Sequence, residues 1–259
     1  MRSDAQGNSV SAEEITRFGA LAARWWNPNG PMRPLHQMNG LRVRWIEQRL
    51  GRIPRFSGEA GVGDTPVLDN RRRLHVLDLG CGAGLASEAL AACGYDVLGV
   101  DASAEAIDAA EAHQTLEFVK SAATGSLSYR CASAEDLIDE GRKFDAVVAL
   151  EVIEHVPDPA EFVAMLARLL TPGGVVVIST LNRTWRSLAT AKIGAEYIVR
   201  LLPAGTHDWR KFVTPAELGR HADQAGLRVA DVAGMVPGFN GWRESRNSAV
   251  NYIALLQSA

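Results

Sequence analysis

The sequence predicts an α/β fold with a doubly wound, mostly parallel sheet, preceded by N-terminal helices and carrying a helical insertion. Short apolar runs typical of buried strands alternate with stretches of helix-forming composition. The first run ends in a glycine-rich loop, and the second ends in an acidic residue. Because the connections are short, the alternation indicates parallel strands joined by helices.

Two helices are predicted ahead of the sheet, from Ala12 to Trp25 and from Met38 to Leu50. The polar residues 1–10 predict a disordered tail. Residues 11–73 then form a helical cap and a loop rich in Gly, Pro and charge. The main domain is predicted to span residues 74–259.

Five apolar runs predict the core strands, at residues 75–79, 96–100, 127–131, 144–150 and 174–180. A later helix is predicted from Val213 to Ala225, because Thr214 is a good N-cap and Pro215 suits the first turn. The runs Leu227–Val232 and Asn251–Leu256 predict the last two strands, as an edge hairpin.

The loop after the first strand predicts a nucleoside-binding site. Gly80, Gly82 and Gly84 alternate with other residues, so the backbone can turn sharply and approach a ligand closely. The loop leads into a helix, whose N-terminal N–H groups face the ligand. Asp101 follows the second strand, where a carboxylate can accept hydrogen bonds from a ribose diol.

The residues around the glycines favour one cofactor. Leu85 stands where a dinucleotide fingerprint has its third glycine, which disfavours a nicotinamide oxidoreductase. Asp78 would repel a pyrophosphate but suits an ammonium group. The pattern from Asp78 to Gly84 resembles motif I of the class I S-adenosylmethionine (SAM) methyltransferases. This resemblance implies a Rossmann-like fold and places Asp78, Gly80, Gly82 and Asp101 in the SAM site.

Other core motifs resemble the same superfamily. Residues 170–176 resemble the turn and strand that follow its fourth strand. Residues 132–137 lie where the superfamily cradles adenine, which implies cofactor contacts by Ser133 and Ala134, although Ser133 occupies a place often held by Asp. Leu150, at the end of the fourth strand, is a further implied contact.

The flanking segments resemble the ubiquinone biosynthesis O-methyltransferases over about residues 13–256. The motifs that carry the resemblance are Arg24–Pro28, Pro34–Asn39 with Arg42, Glu151–Pro159, Thr180–Arg183, Gly194–Ile198, Gly205–Asp208 and Lys211–Leu218. The chain departs from the family in a long loop at 53–72 and in Gly40, where Pro is usual. The resemblance implies O-methylation of phenolic or catechol hydroxyls on polyprenylated rings at two steps, with Arg42 contacting the SAM carboxylate.

Three residues are candidates for the chemistry. A phenol is mostly protonated at neutral pH, so the enzyme must remove or stabilise that proton. Glu151, Glu154 and His155 have i, i+3, i+4 spacing and would share one face if the segment is helical. Two carboxylates and an imidazole suit a divalent ion, and the family implies a Mg²⁺-type dependence. The alternatives are His155 as a metal-free general base and a segment that only shapes the loop over the cofactor.

Composition limits the function classes. The chain has 27 Lys and Arg against 30 Asp and Glu, so its charge of −3 predicts no nucleic-acid partner. Three scattered cysteines indicate reduced thiols in the cytoplasm. Two other functions stay open: methylation of another small molecule, and SAM binding without catalysis.

The insertion at residues 184–211 predicts a membrane contact. In its part 184–202, Lys192, Glu196 and Arg200 form one polar stripe, and most other positions are apolar. Because a polyprenyl substrate resides in a membrane, the segment predicts peripheral association with the inner membrane, with a lid on the catalytic domain as the alternative. Association with other ubiquinone-biosynthesis enzymes is a further expectation. Trp25 and Trp26 are either anchors of the first helix or covers for the substrate ring.

Overall fold

The computed structural model describes residues 22–30, 32–53, 56, 73–118, 125–184, 211–239 and 241–259. The predictions for the tail, for most of the first helix, for most of the loop before the sheet and for nearly all of the insertion lie outside these residues. Within them, no helix has the length and apolar character that a membrane crossing requires.

Helices and strands alternate along the described chain. After a short 3₁₀ turn at Ala22–Arg24, the helices are α1 Arg33–Leu50, α2 Leu85–Ala92, α3 Ala104–Phe118, α4 Ala134–Asp139, α5 Pro159–Arg168 and α6 Pro215–Gln224. The strands are β1 His75–Leu79, β2 Asp96–Asp101, β3 Ser126–Cys131, β4 Phe144–Leu150, β5 Leu170–Leu181, β6 Leu227–Gly238, β7 Gly241–Ser245 and β8 Asn251–Ser258.

The described strands form one eight-stranded sheet in the order β3-β2-β1-β4-β5-β8-β6-β7. The first five strands pair in parallel, as the alternation predicts. Strand β8 pairs antiparallel with both β5 and β6. The carboxyl ends of the parallel strands therefore meet at one edge, the usual ligand edge of such a sheet.

The prediction for the last two strands is wrong in one respect. The segments Leu227–Val232 and Asn251–Leu256 do pair, but β8 lies inside the sheet and the edge hairpin is β6–β7. All six residues from Asn251 to Leu256 are buried. A strand that is apolar on both faces is typical of the interior of a sheet, because both of its faces are covered.

Helices cover both faces of the sheet. On one face Leu77 and Val147 pack with Leu137 of α4, Phe162 of α5 and Leu218 of α6. On the other face the sheet residues pack with helices α1 and α2, through Val43, Trp45, Ile46, Leu50 and Leu90. The two clusters confirm the doubly wound arrangement, and they place α1 directly against the sheet.

Helix starts follow local chemistry. In α6, Thr214 Oγ1 accepts from Glu217 N (3.2 Å) while Glu217 Oε2 accepts from Thr214 N (2.9 Å), a capping box at the predicted position. Helix α1 begins at Arg33, ahead of the predicted start at Met38. Proline in the first turn loses no hydrogen bond, so Pro34 helps to begin this helix and does not interrupt it.

Candidate active site

The glycine loop, residues 80–84, links β1 to α2 at the carboxyl edge. Gly80, Gly82 and Gly84 have φ of 73°, 54° and 87°, where residues with a Cβ are strained. A Cβ on Gly82 would overlap the Trp25 indole ring, and one on Gly84 would overlap the Tyr129 phenol. Glycine is therefore needed at these positions both for the turn and for the close approach of two aromatic rings.

Asp101 braces this loop. Its Oδ2 accepts from Gly82 N and its Oδ1 accepts from Ser103 N, each at 2.9 Å. Burial raises the pKa of Asp101, and these backbone donors oppose the rise. A carboxylate has about four acceptor positions. Asp101 can therefore hold the loop and still accept ribose hydroxyls.

Asp78 is a second buried carboxyl beneath the loop. Its Oδ2 accepts from Ser87 Oγ at 2.5 Å. Burial raises the pKa of Asp78 to about 6; the charge of Asp101 adds to the rise, and the Ser87 hydrogen bond opposes it. A bound cation would stabilise the ionised form, so Asp78 fits the ammonium of the SAM tail.

Cys81, between the first two glycines, stays a thiol. Burial and the charges of Asp78 and Asp101 raise the pKa of Cys81 well above its usual value. Its Sγ lies 3.4 Å from the Gly82 carbonyl oxygen. A buried thiol of this kind is inert, and Cys81 serves as a small packing residue in the loop.

The residues expected on the adenine side lie at the start of α4 and at the end of β4. Ser133 is the N-cap of α4, and its hydroxyl donates to Asp136 Oδ2 (2.8 Å) and accepts from Asp136 N (3.2 Å). Ala134 is buried, and Leu150 is partly exposed at the end of β4. Because the Ser133 hydroxyl donates its proton to Asp136, it cannot donate to the cofactor as well. Ser133 can contact the cofactor only by accepting a hydrogen bond or through its backbone.

An ion pair joins α1 to the end of β4. Arg42, which is buried, donates from Nη2 to Glu151 Oε1, and Ser179 Oγ donates to the same oxygen at 2.8 Å. Glu151 has φ of 58° and is the only non-glycine residue with a positive φ in the described chain. A non-glycine residue held in this region stores strain of about 1–3 kcal/mol and often marks a functional site.

One donor of Arg42 is unpaired in the described part of the chain. Its buried Nε has no hydrogen-bond partner among the described residues. A buried donor without a partner costs free energy, so such a group points to a ligand acceptor. This observation fits the expected contact of Arg42 with the SAM carboxylate.

Glu154 lies deeper than Glu151. Only 2 % of it is exposed, and its Oε2 accepts from Thr180 Oγ1 at 2.8 Å. Burial raises the pKa of Glu154 well above its usual value, and the charge of Glu151 raises it further. The protonated form of Glu154 is therefore favoured.

The helical geometry expected for Glu151, Glu154 and His155 is wrong. Residues 151–157 form a bend and a turn, and helix α5 begins only at Pro159. The left-handed Glu151 interrupts any helix, and Pro157 disfavours helical backbone at the residue before it. The three side chains do not share a helix face.

The expected metal site is not supported. Across the described ranges, no group of three or more His, Cys, Asp or Glu side chains could hold a metal ion. Glu151 already faces the Arg42 guanidinium, and Glu154 is buried against Thr180. The donor set therefore does not fit a divalent ion.

Several partners at this edge are not apparent from the sequence. Ser179 and Thr180 hold the two glutamates, Ser87 holds Asp78, and Tyr129 lies under the glycine loop. The one available signal was the pair of polar residues that ends the apolar run of β5. Polar residues at the carboxyl end of a parallel strand favour a site.

Comparisons with known proteins place the chain among the methyltransferases. A family model described as a methyltransferase domain matches residues 42–232. The chain is 44% identical over 255 residues to the mitochondrial ubiquinone biosynthesis O-methyltransferase of Arabidopsis thaliana, covering 98% of this chain and 76% of that one. It is 42% identical to the ubiquinone biosynthesis O-methyltransferase of Rhodopseudomonas palustris (strain HaA2), covering 97% and 94%.

The solved structure of magnesium protoporphyrin IX methyltransferase from Synechocystis PCC 6803 with bound SAM has a similar fold. Its TM-score is 0.58 at 18% identity, and each chain is covered to 100%. At this identity the likeness concerns the fold alone. It bears out the class I, Rossmann-like architecture that motif I implies.

Proposed function

This chain belongs to the ubiquinone biosynthesis O-methyltransferases, and on that premise we propose that it methylates phenolic or catechol hydroxyls on polyprenylated rings. Family membership confirms the resemblance of the flanking motifs and makes the protein a SAM-dependent O-methyltransferase. The nicotinamide oxidoreductase and the non-catalytic SAM-binding protein are therefore set aside. That the enzyme acts at both O-methylation steps of the pathway is part of the proposal.

The observation that carries the proposal is a braced glycine loop beside buried groups of opposite charge. We infer that Asp101 accepts from the ribose, that Asp78 faces the ammonium and that Arg42 meets the carboxylate of the SAM tail. Gly80 and Gly82 allow the loop to turn, and in this inference Ser133, Ala134 and Leu150 line the adenine side. When bound, SAM supplies a methyl group on a sulfonium, which departs as a neutral thioether under in-line attack by a phenolate oxygen.

The main contribution of the chain is alignment. Holding two reactants in the attack geometry can contribute roughly 7–11 kcal/mol. The Arg42–Glu151 pair and the Ser179 hydroxyl fix the end of β4, and Asp101 fixes the loop. Rigid groups on both sides of the cofactor site support such alignment.

We propose His155 as the proton acceptor for the substrate hydroxyl. Glu151 is already paired with the Arg42 guanidinium, and burial favours the protonated form of Glu154, so neither carboxyl is well suited to accept the proton. His155 is half-buried in the turn after β4, and its backbone N donates to Val152 O at 2.9 Å. An imidazole is poised to accept a proton near neutral pH. No step is assigned to a divalent ion, because the donor set does not fit one.

Incubation with labelled SAM and a prenylated catechol, with and without EDTA, tests these assignments. We expect methyl transfer that survives EDTA and falls by about 10²-fold or more in His155→Gln. His75→Gln, at the amino end of β1, is the matched control and should stay near wild type. Loss of activity in EDTA would support a metal-dependent reaction. Full activity of His155→Gln would show that His155 is not the proton acceptor. A wild-type protein that transfers no methyl group would refute the function.

We further propose that the enzyme is cytoplasmic and meets its substrate at the surface of the inner membrane, through residues 184–202. The support is the apolar character of that segment and the membrane location of a polyprenyl chain. Liposome flotation of wild type and an Ile198→Asp/Leu202→Asp variant tests it. Flotation of only the wild type is expected. Equal behaviour of two folded proteins would leave the segment as a lid. Contact with other enzymes of the pathway stays a prediction.

A further inference from the structure

Residues 22–30 and 32–39, a part of the predicted helical cap that is called the cap from here on, lie against the glycine loop. Trp26 Nε1 donates to the Ala83 carbonyl at 3.0 Å. The Trp25 ring lies against Gly82, and Asn39 Nδ2 donates to the Leu85 carbonyl at 2.8 Å. Three cap side chains thus contact the loop and the first residue of α2.

Trp26 is itself held between two helices. Its indole stacks on the His113 ring of α3, with centroids 3.4 Å apart and planes 3° apart, and meets the edge of His36 of α1 at 6.0 Å. His113 Nδ1 donates to Glu88 Oε1 of α2 at 2.8 Å, and His36 Nε2 donates to the Trp25 carbonyl at 2.8 Å. The indole therefore has a fixed position relative to the loop.

The hydrogen bond from Trp26 acts on a particular peptide. Ala83 O and Gly84 N belong to one peptide unit, and Gly84 N donates to Cys81 O at 3.0 Å. With Ala83 O held by Trp26, both ends of this peptide are fixed. Because Gly84 has φ of 87°, its peptide could otherwise rotate at little steric cost.

The cap contacts serve the loop more than the hydrophobic core. Trp25, Met32 and Ala83 form a small cluster of their own, separate from the two large ones, and Trp26 packs against its edge. Trp26 is only partly buried. Losing its contacts should therefore loosen the loop without unfolding the sheet.

We propose that Trp26 is a positioning residue for SAM, acting through the Ala83–Gly84 peptide, so that the cap works as a latch that fixes the loop for cofactor binding. The inference rests on the proposed SAM site. A neutral hydrogen bond to the backbone corresponds to about a 3- to 10-fold change in binding. The latch acts on cofactor binding and leaves the methyl-transfer step itself unchanged.

The test compares Trp26→Phe, which keeps an aromatic ring but lacks the N–H donor, with Trp242→Phe on β7 as the matched control. Calorimetry should show SAM bound about 3- to 10-fold more weakly by Trp26→Phe, and unchanged binding by Trp242→Phe. The KM for SAM should rise by the same factor with kcat unchanged. Thermal unfolding without cofactor should differ little between the two variants, which a purely structural role of Trp26 would not allow.

A second variant, followed by tryptophan fluorescence, keeps the test decisive if Trp26→Phe does not fold. In His113→Gln, Trp25 and Trp26 both remain and the stack on Trp26 is lost, so SAM should again bind more weakly, with altered tryptophan fluorescence. Wild-type SAM affinity in folded Trp26→Phe and in His113→Gln would overturn the latch, as would equal losses in Trp242→Phe. If wild type binds SAM but methylates no prenylated catechol, only the proposed substrate fails. If it binds no SAM, the site and the latch fail together.

Discussion

We expect SAM binding to depend on pH through Asp78. Its pKa is about 6 in the folded protein because burial disfavours the charge. A bound ammonium stabilises the ionised carboxylate and lowers that pKa, so binding below pH 6 must displace a proton. We expect SAM affinity to be highest near pH 7 and to fall by up to tenfold per pH unit below pH 6. Calorimetry from pH 5 to 8 measures this.

Asp78→Asn is the control for that profile. It should bind SAM weakly at pH 7.5 and lose the slope below pH 6, because the amide does not titrate. Ser87→Ala removes the hydrogen bond that lowers the pKa of Asp78 and should move the onset to higher pH. An acid slope that persists in Asp78→Asn would assign it to another group.

Glu151 combines backbone strain with a buried ion pair. Glu151→Ala should destabilise the protein by about 3–5 kcal/mol, because the Arg42 guanidinium stays buried without its carboxylate. Urea unfolding of the variant measures the loss. Glu140→Ala, which breaks the exposed pair with Arg130, is the control and should change stability far less. Equal effects would mean that the Arg42 pair contributes little.

At the scale of elements, two capping boxes allow a matched comparison. Thr214→Ala in α6 and Ser133→Ala in α4 each remove one box and should each cost about 1 kcal/mol in urea unfolding. Only Ser133 lies in the proposed cofactor site, so only Ser133→Ala should also weaken SAM binding. Equal SAM affinity in both variants would show that the Ser133 side chain makes no contact with the cofactor.

The parts predicted correctly depend on local signals. Neighbouring residues are enough to predict the glycine loop, the position of Asp101 after β2 and the helix start at Thr214–Pro215. The structure places all three as expected. The segment after Glu151 could not be predicted in this way. Its i, i+3, i+4 spacing would put three side chains on one helix face, but Glu151 has a positive φ, and its side chain is held by Ser179 and Arg42, which are distant in sequence. Tertiary contacts override the local pattern.

The same limit applies to the site. A sequence motif predicts the role of Asp78, and the family resemblance predicts that of Arg42. Their hydrogen-bond partners lie on other elements of the fold. Ser87, Thr180 and His113 carry no signature of their own in the sequence. The position of β8 inside the sheet was likewise missed, because pairing order depends on the whole fold and not on the strand itself.

At the scale of the molecule, α1 ties the cofactor edge to the far hairpin. Arg49 donates from Nε to Asp231 at 3.0 Å and from Nη2 to Glu244 at 2.5 Å, and its guanidinium lies 4.3 Å from the Trp45 ring centroid. Arg49→Lys cannot make both bonds and should lose about 2 kcal/mol in thermal or urea unfolding. Because Arg49 is remote from the SAM residues, the KM for SAM should not change. A raised KM would show that α1 transmits strain between its ends.

The placement of β8 inside the sheet also affects how the chain folds while it is being synthesised. The ribosome releases β5 long before the strand that covers its edge, since Val177 pairs with Leu255. Until residues 251–258 emerge, β5 presents unpaired N–H and C=O groups beside an apolar surface, a template for wrong partners. Closing so long a loop is slow. Nascent chains stalled before residue 250 should therefore engage chaperones and be cut readily by proteases.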